Sequence, residues 1–293
     1  MLRIATRGSA LARWQAERVA TLLGGDVELV IVSTSGDQRA DTPIHAMGGT
    51  GVFVKEVQEA VLDDRADVAA HSAKDLPAIT PEGLALAAVP ERADARDALV
   101  GSTFEGLRDG AQVATGSVRR RAQLAAARSD LVFAELRGNV DTRLEKAAQH
   151  DAIVLAAAGL DRLGHSDRIA ERLDPALVLP MVGQGALAVE CRVEDAATLE
   201  RLRAIDDADA HAALRAERRF LAELGGGCSL PCAAYATVQG WEVTIDALLA
   251  APDGRMIVRG RAASEDAESA GLQVARQVLD GGGRELIGGS ATS

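Results

Sequence analysis

Aromatic residues are scarce in this sequence, because two tryptophans, one tyrosine and four phenylalanines make up only 2% of its 293 residues. So few rings exclude a stacking platform for nucleic-acid bases. Acidic residues outnumber basic ones, and the formal net charge at pH 7 is −11. A chain of this charge does not offer a general surface to nucleic acids or anionic membranes. The composition therefore predicts neither a nucleic-acid partner nor a membrane partner.

The sequence also lacks long hydrophobic runs, and its cysteines are too few to pair completely in disulfides. No segment reaches the roughly 18 apolar residues of a membrane span, and the first residues lack the apolar core of a signal peptide. Cys191, Cys228 and Cys232 are an odd number, which disfavours a disulfide framework. The C-x3-C spacing of the last two hints at a metal, but no second ligand pair has a zinc-like spacing. We therefore expect a cytoplasmic protein without a bound metal.

Short apolar runs alternate with stretches that have apolar residues at helical spacing. This alternation predicts an α/β fold built from βαβ units with a largely parallel sheet. The pattern occurs twice, over residues 1–90 and 95–180. The predicted strands are 2–6, 27–33, 66–72, 84–89, 131–136 and 152–159, and the predicted helices are 10–23, 52–63, 118–128 and 139–149.

The pattern of apolar and polar residues changes after residue 208. A long helical stretch, 208–224, leads into GGGCSLP, and two alternating runs, 241–250 and 255–262, precede a helix near 264–279. Alternation of apolar and polar residues is typical of an antiparallel sheet with one covered face. This part of the sequence therefore predicts a smaller α/β domain.

Polar loops that lead into predicted helices carry most of the candidate binding residues. A helix N-terminus offers free N–H groups and the positive end of the dipole, which suits an anion. Any single loop is more simply an ordinary helix cap, but four loops that also supply arginines favour a bound polyanion. Arginine pairs well with carboxylates, although this signal alone does not separate carboxylate from phosphate. The loops are TRGSA (6–10), GGTG (48–51), TGSVRRR (115–121) and RGNVDTR (137–143), with Arg7, Arg119, Arg120, Arg137 and Arg143.

Asp75 is the candidate acid, in HSAKDLP (71–77) after a predicted buried strand. Strand ends in α/β sheets are where ligands usually bind. A partly desolvated aspartate can accept hydrogen bonds from N–H donors, stabilise a cation or move protons. By spacing alone, an ordinary pair with Lys74 on a surface turn is the simpler interpretation.

Cys228 is the candidate nucleophile, in LGGGCSLPC. The glycines before it leave the backbone unobstructed, and an exposed thiolate can attack a carbon electrophile. A plain buried cysteine is the alternative.

Taken together, these segments resemble the hydroxymethylbilane synthase family, also called porphobilinogen deaminases. The matching blocks follow the family's order and cover nearly the whole chain. HSxKDxP, RGNV-x-TRL and GQGA are specific in combination. The blocks include ATRGSALARWQA (5–16), GVFVKEVQ (51–58), DVAAHSAKDLP (67–77), DARDALV (94–100), TGSVRRRAQL (115–124), ELRGNVDTRL (135–144), VGQGALAVECR (182–192) and ALRAERRFLAELGGGCSLP (213–231).

The resemblance implies a transferase of porphyrin and heme biosynthesis that deaminates four porphobilinogen molecules and joins them head to tail into hydroxymethylbilane. Such enzymes use a dipyrromethane cofactor held by a thioether, and the matching cysteine is Cys228. The matching catalytic residue is Asp75. Further residues match cofactor-binding positions (Lys74, Ser72, Thr115, Ser117, Arg119, Arg120, Arg137 and Arg143) and substrate-binding positions (Arg7, Ser9, Gln15, Lys55 and Arg162).

The resemblance also implies three domains and a monomer. Two domains resemble periplasmic binding proteins and form a cleft, and the third carries the cysteine. Thr50 stands where many relatives have lysine, and Cys232 adds a thiol near Cys228. A non-enzymatic solute-binding module is the alternative that the two-lobed architecture permits. The expected bounds are 1–92 with 186–205, then 93–185, then 206–293.

Overall fold

Three β-sheets organise the computed structural model, which describes residues 1–35, 53–226 and 230–289. The α/β fold class expected from the sequence is confirmed. The strands are β1 (Leu2–Arg7), β2 (Val27–Val32), β3 (Val68–Ser72), β4 (Leu84–Ala88), β5 (Asp97–Val100), β6 (Gln112–Ala114), β7 (Val132–Ala134), β8 (Ala152–Ala156), β9 (Glu171–Arg172), β10 (Leu187–Arg192), β11 (Cys232–Gln239), β12 (Glu242–Ala250) and β13 (Ile257–Ser264).

The helices pack on the faces of these sheets. Within the described ranges, no helix is long and apolar enough to cross a membrane. The α-helices are α1 (Ala10–Leu23), α2 (Lys55–Leu62), α3 (Val118–Ala127), α4 (Val140–Lys146), α5 (Ala157–Arg162), α6 (Ala196–Arg203), α7 (Ala208–Glu223), α8 (Ala267–Val278) and α9 (Arg284–Gly289).

The first sheet, with α1 and α2, is called lobe 1 below. Its strand order is β2-β1-β3-β10-β4. Strands β1, β2 and β3 are parallel, whereas β10 runs antiparallel to both β3 and β4. Ile4, Val68 and Val189 fill its core against Ala16 and Val19 of α1.

The second sheet, with α3, α4 and α5, is called lobe 2. Its order is β7-β6-β8-β5-β9, and β5 runs antiparallel to β8 and β9. Four of the five strands in each lobe run in the same direction, as expected of a largely parallel sheet, and one strand in each lobe is reversed. The reason is the same in each, because β5 and β10 are the strands that the chain forms on arriving from the other lobe, and each enters in the opposite direction. Two segments, 89–96 and 180–186, make these crossings.

The third sheet, β11-β12-β13, is wholly antiparallel, as the alternating runs predicted. Helices α7 and α8 cover one of its faces. Phe220, Ile245 and Val274 are fully buried between them. Burying large side chains of this kind stabilises a fold by about 1.5–3 kcal/mol each.

Candidate active site

A cleft lies between the two lobes, and of the four predicted loops TRGSA (6–10) lines it, whereas GGTG (48–51) lies outside the described residues. Two adjoining cavities lie at the carboxyl ends of β3 and β8, and both are lined by Leu11, Gln15 and Ser72. Ligands of open α/β sheets bind at such strand ends. The first cavity adds Arg7, Ser9, His71 and Asp75, and the second adds Lys74, Arg162, Gly183 and Gly185.

Asp75 and Lys74 lie on a short 3-10 turn, Ala73–Asp75, directly after β3. The crossing segment presses on this turn, since a Cβ on Gly183 would lie 2.8 Å from the Ala73 carbonyl carbon. Gly183 also has a φ of 70°, which favours glycine. The GQG turn therefore fixes the backbone that presents Asp75 to the first cavity.

The cations near Asp75 outnumber their acidic partners. Burial lowers the pKa of Lys74 to about 8, with the charges of Arg120 and Arg143 adding to the effect and those of Asp75 and Asp97 opposing it. Burial likewise lowers the pKa of Arg143 to about 10, helped by Arg120 and Arg137 and opposed by Asp75. Positive groups depress one another's pKa values when they lie close together. Anions that bind among such groups stabilise their charged forms.

Arg119 and Arg120 are buried and share one carboxylate, that of Asp97. Arg119 Nη1 lies 2.7 Å from Asp97 Oδ2. Arg120 Nε donates to Asp97 Oδ1 at 2.9 Å, and its Nη1 donates to the Val154 carbonyl at 3.0 Å. The two guanidinium groups hold the pKa of Asp97 well below its usual range despite the burial that opposes this.

Gln184 of the GQG turn joins the Asp97 cluster from the crossing segment. Its Nε2 donates to Asp97 Oδ1 at 2.9 Å and to the Ala95 carbonyl at 2.7 Å. Asp97 therefore ties lobe 2 to the crossing between the lobes. Asp97 lies in the DARDALV block (94–100), but nothing in the sequence pattern points to a role for it.

The polar residues from α1 and β3 are anchored to one another. Ser9 caps α1 by accepting from Ala12 N at 3.3 Å. Gln15 Nε2 donates to Ser72 Oγ at 2.7 Å, which links α1 to β3. The Arg7 guanidinium lies 4.2 Å from the centroid of the Phe53 ring. These contacts hold one wall of the first cavity.

The loops of lobe 2 are helix caps as well as candidate anion sites. Thr115 Oγ1 accepts from Ser117 N at 3.2 Å, and Ser117 Oγ accepts from Arg120 N at 3.4 Å. Arg137 pairs with the exposed Glu135 at 3.1 Å, and Arg143 Nε donates to the Gly138 carbonyl at 2.8 Å.

Lys55 does not join this set. Its side chain is 76% exposed, and Nζ lies 3.7 Å from Glu59 Oε1 on the same helix, α2. It lines neither cavity.

Cys228 and Thr50 lie outside the described residues. The chain that leads toward the cysteine is described as far as Gly226, where an added Cβ would lie 3.9 Å from Ala78 Cβ. Arg218 of α7 donates to Thr80 Oγ1 at 2.9 Å. The end of α7 is therefore adjacent to the segment that follows Asp75.

Glu217 is a second acid that our sequence reasoning did not single out. It is fully buried, and its Oε1 and Oε2 accept from Arg92 at 2.6 and 3.2 Å. It also accepts from Gly183 N at 2.7 Å and from Ala236 N at 2.8 Å. One carboxylate thus connects both crossing segments to α7 and β11.

Solved structures that match this chain at low similarity include two solute-binding proteins. A TRAP periplasmic solute binding protein from Desulfovibrio salexigens with bound orotic acid is 13% identical, with a TM-score of 0.37, over 98% of this chain and 96% of that one. A periplasmic His/Glu/Gln/Arg/opine family-binding protein from Silicibacter pomeroyi in complex with lysine is also 13% identical, with a TM-score of 0.35, over 70% of this chain and 89% of that one.

Two family models match the chain consecutively. The porphobilinogen deaminase dipyromethane cofactor binding domain matches residues 2–200, and the porphobilinogen deaminase C-terminal domain matches residues 211–280. The first match alone spans more than half of the 293 residues. The chain belongs to the porphobilinogen deaminase family.

Proposed function

We propose that this protein is a hydroxymethylbilane synthase, which deaminates four porphobilinogen molecules and joins them head to tail on a covalently attached primer. The observation that carries the proposal is the excess of cations around Asp75 in the cleft. The chain as a whole is acidic, yet Lys74, Arg143 and Arg137 gather where carboxylate-bearing rings would lie. Each porphobilinogen unit carries an acetate and a propionate, so a growing chain brings several anions to this place.

A dipyrromethane cofactor fits the donor set of the site. Burial is the main cause of the depressed pKa values of Lys74 and Arg143, and carboxylates of the cofactor would stabilise the charged forms of both side chains. When bound, the cofactor supplies the pyrrole carbon to which the first substrate is joined. Its proposed attachment is a thioether to Cys228.

The residues proposed to hold the cofactor fall into two groups. Lys74, Arg137 and Arg143 act through direct pairing with carboxylates. Arg119 and Arg120 already pair with Asp97, and the positive charge of Arg120 also acts on Lys74 and Arg143. Ser72, Thr115 and Ser117 supply short polar contacts at the strand ends.

Asp75 is the proposed catalytic residue. Its carboxylate accepts hydrogen bonds from pyrrole N–H groups and stabilises the positive charge that develops when ammonia leaves the substrate. A fixed charge aimed at a group that becomes cationic stabilises the transition state more than the neutral ground state. Proton transfers at each addition also pass through this carboxylate.

The substrate carboxylates are proposed to bind Arg7 and Arg162, with Ser9 and Gln15 as neighbours. These four residues line the two cavities of the cleft. Lys55 is retained from the family resemblance alone. The domain bounds given above, the monomeric state and the cytoplasmic location belong to the same proposal.

Intact-mass measurement of the freshly purified protein tests the proposal. The wild type should be heavier than its sequence mass by a two-pyrrole adduct, and it should convert porphobilinogen. Cys228→Ser should lack the adduct and the activity, because an alcohol is a much poorer nucleophile than a thiolate. Cys232→Ser is the matched control and should retain both. A wild-type protein at its sequence mass that porphobilinogen never modifies would instead favour a two-lobed solute-binding module.

A further inference from the structure

Trp14 and Arg162 meet across the cleft. Trp14 belongs to α1 of lobe 1, and Arg162 ends α5 of lobe 2. The guanidinium carbon of Arg162 lies 5.5 Å from the centroid of the Trp14 ring. A cation within about 6 Å of a ring centroid is attracted by the ring face, and tryptophan is the strongest of the aromatic partners. The contact therefore joins the two lobes through one side-chain pair.

A second contact holds Arg162 in the same place. Its Nη2 donates to the Gly185 carbonyl of the crossing segment at 2.7 Å. Next to it, α1 and α5 approach closely, since a Cβ added to Gly159 would lie 3.9 Å from Leu11 Cδ2. Burial lowers the pKa of Arg162 to about 10, so the guanidinium has lost much of its water. Loss of water strengthens the attraction between a cation and a ring.

Arginine–ring contacts recur in this protein although rings are few. Of its two tryptophans, one tyrosine and four phenylalanines, four lie beneath an arginine. Arg7, the other proposed substrate arginine, lies over Phe53 in the wall of the first cavity. Both arginines proposed to bind substrate carboxylates are thus oriented by an aromatic face. A guanidinium held against a ring can still donate to a carboxylate from the nitrogens at its edge.

We propose that Trp14 is a positioning residue for the condensation reaction: its ring holds the Arg162 guanidinium at the cleft wall in the orientation that receives a substrate carboxylate. The Trp14–Arg162 pair is at the same time a clasp between the two lobes. This inference rests on the proposed function, in which Arg162 binds porphobilinogen. Trp14 acts through Arg162 and not through the reacting atoms.

Tryptophan fluorescence tests the clasp without any turnover. Trp241, the second tryptophan, is 88% exposed in the turn between β11 and β12, so Trp241→Phe leaves Trp14 as the single reporter. Adding Arg162→Leu to this background should shift the Trp14 emission to the red and increase its quenching by acrylamide. Arg168→Leu is the matched control, an exposed arginine in the turn that follows α5, and should change neither quantity. Trp14 emission that is the same with and without Arg162 overturns the clasp.

Steady-state kinetics tests the positioning role. Trp14→Ala should raise the KM for porphobilinogen by about two- to thirty-fold, the range that corresponds to loss of one cation–ring contact. Its kcat should change much less, and Trp14→Phe should fall between it and the wild type because a ring remains. In the Arg162→Leu background, Trp14→Ala should add nothing further, since the two residues act as one unit.

The possible failures are distinguishable. Additive effects of Trp14→Ala and Arg162→Leu on KM, in variants with wild-type circular dichroism, overturn the positioning role. If the wild type carries no adduct and converts no porphobilinogen, the proposed function fails. The dependence of Trp14 emission on Arg162 then still decides whether the clasp exists.

Discussion

Asp97 and Asp75 are two acids of the same cleft region with opposite surroundings. Asp97 is fully buried and surrounded by donors that match it, because Arg119, Arg120 and Gln184 all converge on its carboxylate. Asp75 lines an open cavity, and the cations near it repel one another. The Asp97 carboxylate is matched by donors, although its two guanidinium groups leave this cluster one positive charge in excess, whereas the Asp75 carboxylate faces a cavity that a ligand can enter.

This difference indicates which arginines serve the fold and which serve a ligand. A guanidinium whose donors are used by a buried acid and by backbone carbonyls has little left for a substrate. Arg120 is of this kind. Arg143, in contrast, has a pKa that is depressed by burial and by other cations, so we assign it to ligand binding. The balance of acids and bases within a few ångströms, and not the motif that supplies the arginine, decides its role.

The largest effect should come from removing Asp97, the buried acid that Arg119 and Arg120 share. Asp97→Asn keeps the shape but leaves two buried guanidinium groups without their carboxylate. Breaking a buried pair in this way costs about 3–5 kcal/mol. Urea unfolding followed by circular dichroism should show a much lower midpoint than the wild type. Asp246→Asn is the control, because the pair of Asp246 with Arg261 is exposed and should contribute less than about 1 kcal/mol.

The difference in stability between the wild type and Asp97→Asn should become smaller at acidic pH. The folded-state pKa of Asp97 is depressed, so its stabilising contribution is present above the unfolded-state pKa of about 4 and is lost as the pH falls below it. The gap between wild type and Asp97→Asn should therefore shrink below pH ~4. An equal midpoint for the two proteins at neutral pH would contradict the structural role of the Asp97 cluster.

Asp75, which lines the first cavity, should matter for rate and not for stability. Asp75→Asn should reduce kcat by about 10²–10³, as removal of one fixed group that stabilises developing charge does elsewhere. Its urea midpoint should stay near that of the wild type, and its mass should still include the adduct. Asp63→Asn, at an exposed position after α2, is the control for kcat. A kcat close to wild type would remove Asp75 from the proposed chemistry.

Lys74 should carry an electrostatic cost that depends on pH. Its folded-state pKa of about 8 lies below the unfolded value of 10.5, so the unfolded state binds more protons between these values. Stability should therefore rise with pH through this window, and the cost of keeping Lys74 charged is greatest below pH 8. In a Cys228→Ser background, Lys74→Met should be more stable at pH 7 by about 1–3 kcal/mol.

The free energies of unfolding of Cys228→Ser and of Cys228→Ser with Lys74→Met should become equal as the pH approaches 10.5. In the background that retains Cys228, bound carboxylates should offset the cost, so Lys74→Met should gain less or lose stability. Urea midpoints of the four proteins, measured from pH 7 to 10.5, provide the comparison. A pH-independent difference would contradict the depressed pKa of Lys74 in the folded protein.

Local signals account for the elements that the sequence placed well. Helix α1 has the expected bounds because Ser9 caps its start and Gly24, with a φ of 63°, ends it. The run 152–159 was predicted as one strand, but β8 ends at Ala156 and α5 begins at Ala157. Small residues permit both conformations, and the packing of Gly159 toward Leu11 lies outside the reach of a local pattern. Strand β5 was not predicted, because four residues are too few to show a period.

The buried acids Asp97 and Glu217 could not be predicted as binding partners of arginines, because the arginines that pair with them are distant in sequence. Arg120 and Asp97 are 23 residues apart, and Arg92 and Glu217 are 125 apart. A motif contains the residues but does not show which acid neutralises which base. The resemblance supplied Asp75 and the arginines as a set, and the structure separates the arginines that pair with the buried Asp97 from those that do not.

The smallest predicted effect on activity and stability is that of replacing Lys55. This variant also checks whether exposed cations outside the two cavities bind substrate. It came from the family resemblance, yet it is exposed and lies on α2 beside Glu59. A solvated ion pair of neighbouring helix residues contributes little and is screened by salt. Lys55→Ala should therefore leave kcat, KM and the urea midpoint close to wild type, with Lys74→Ala as the contrasting variant in the same assays. A large increase in KM for Lys55→Ala would mean that charges outside the two cavities also bind substrate, and the local balance of acids and bases would then be insufficient to identify ligand-binding residues.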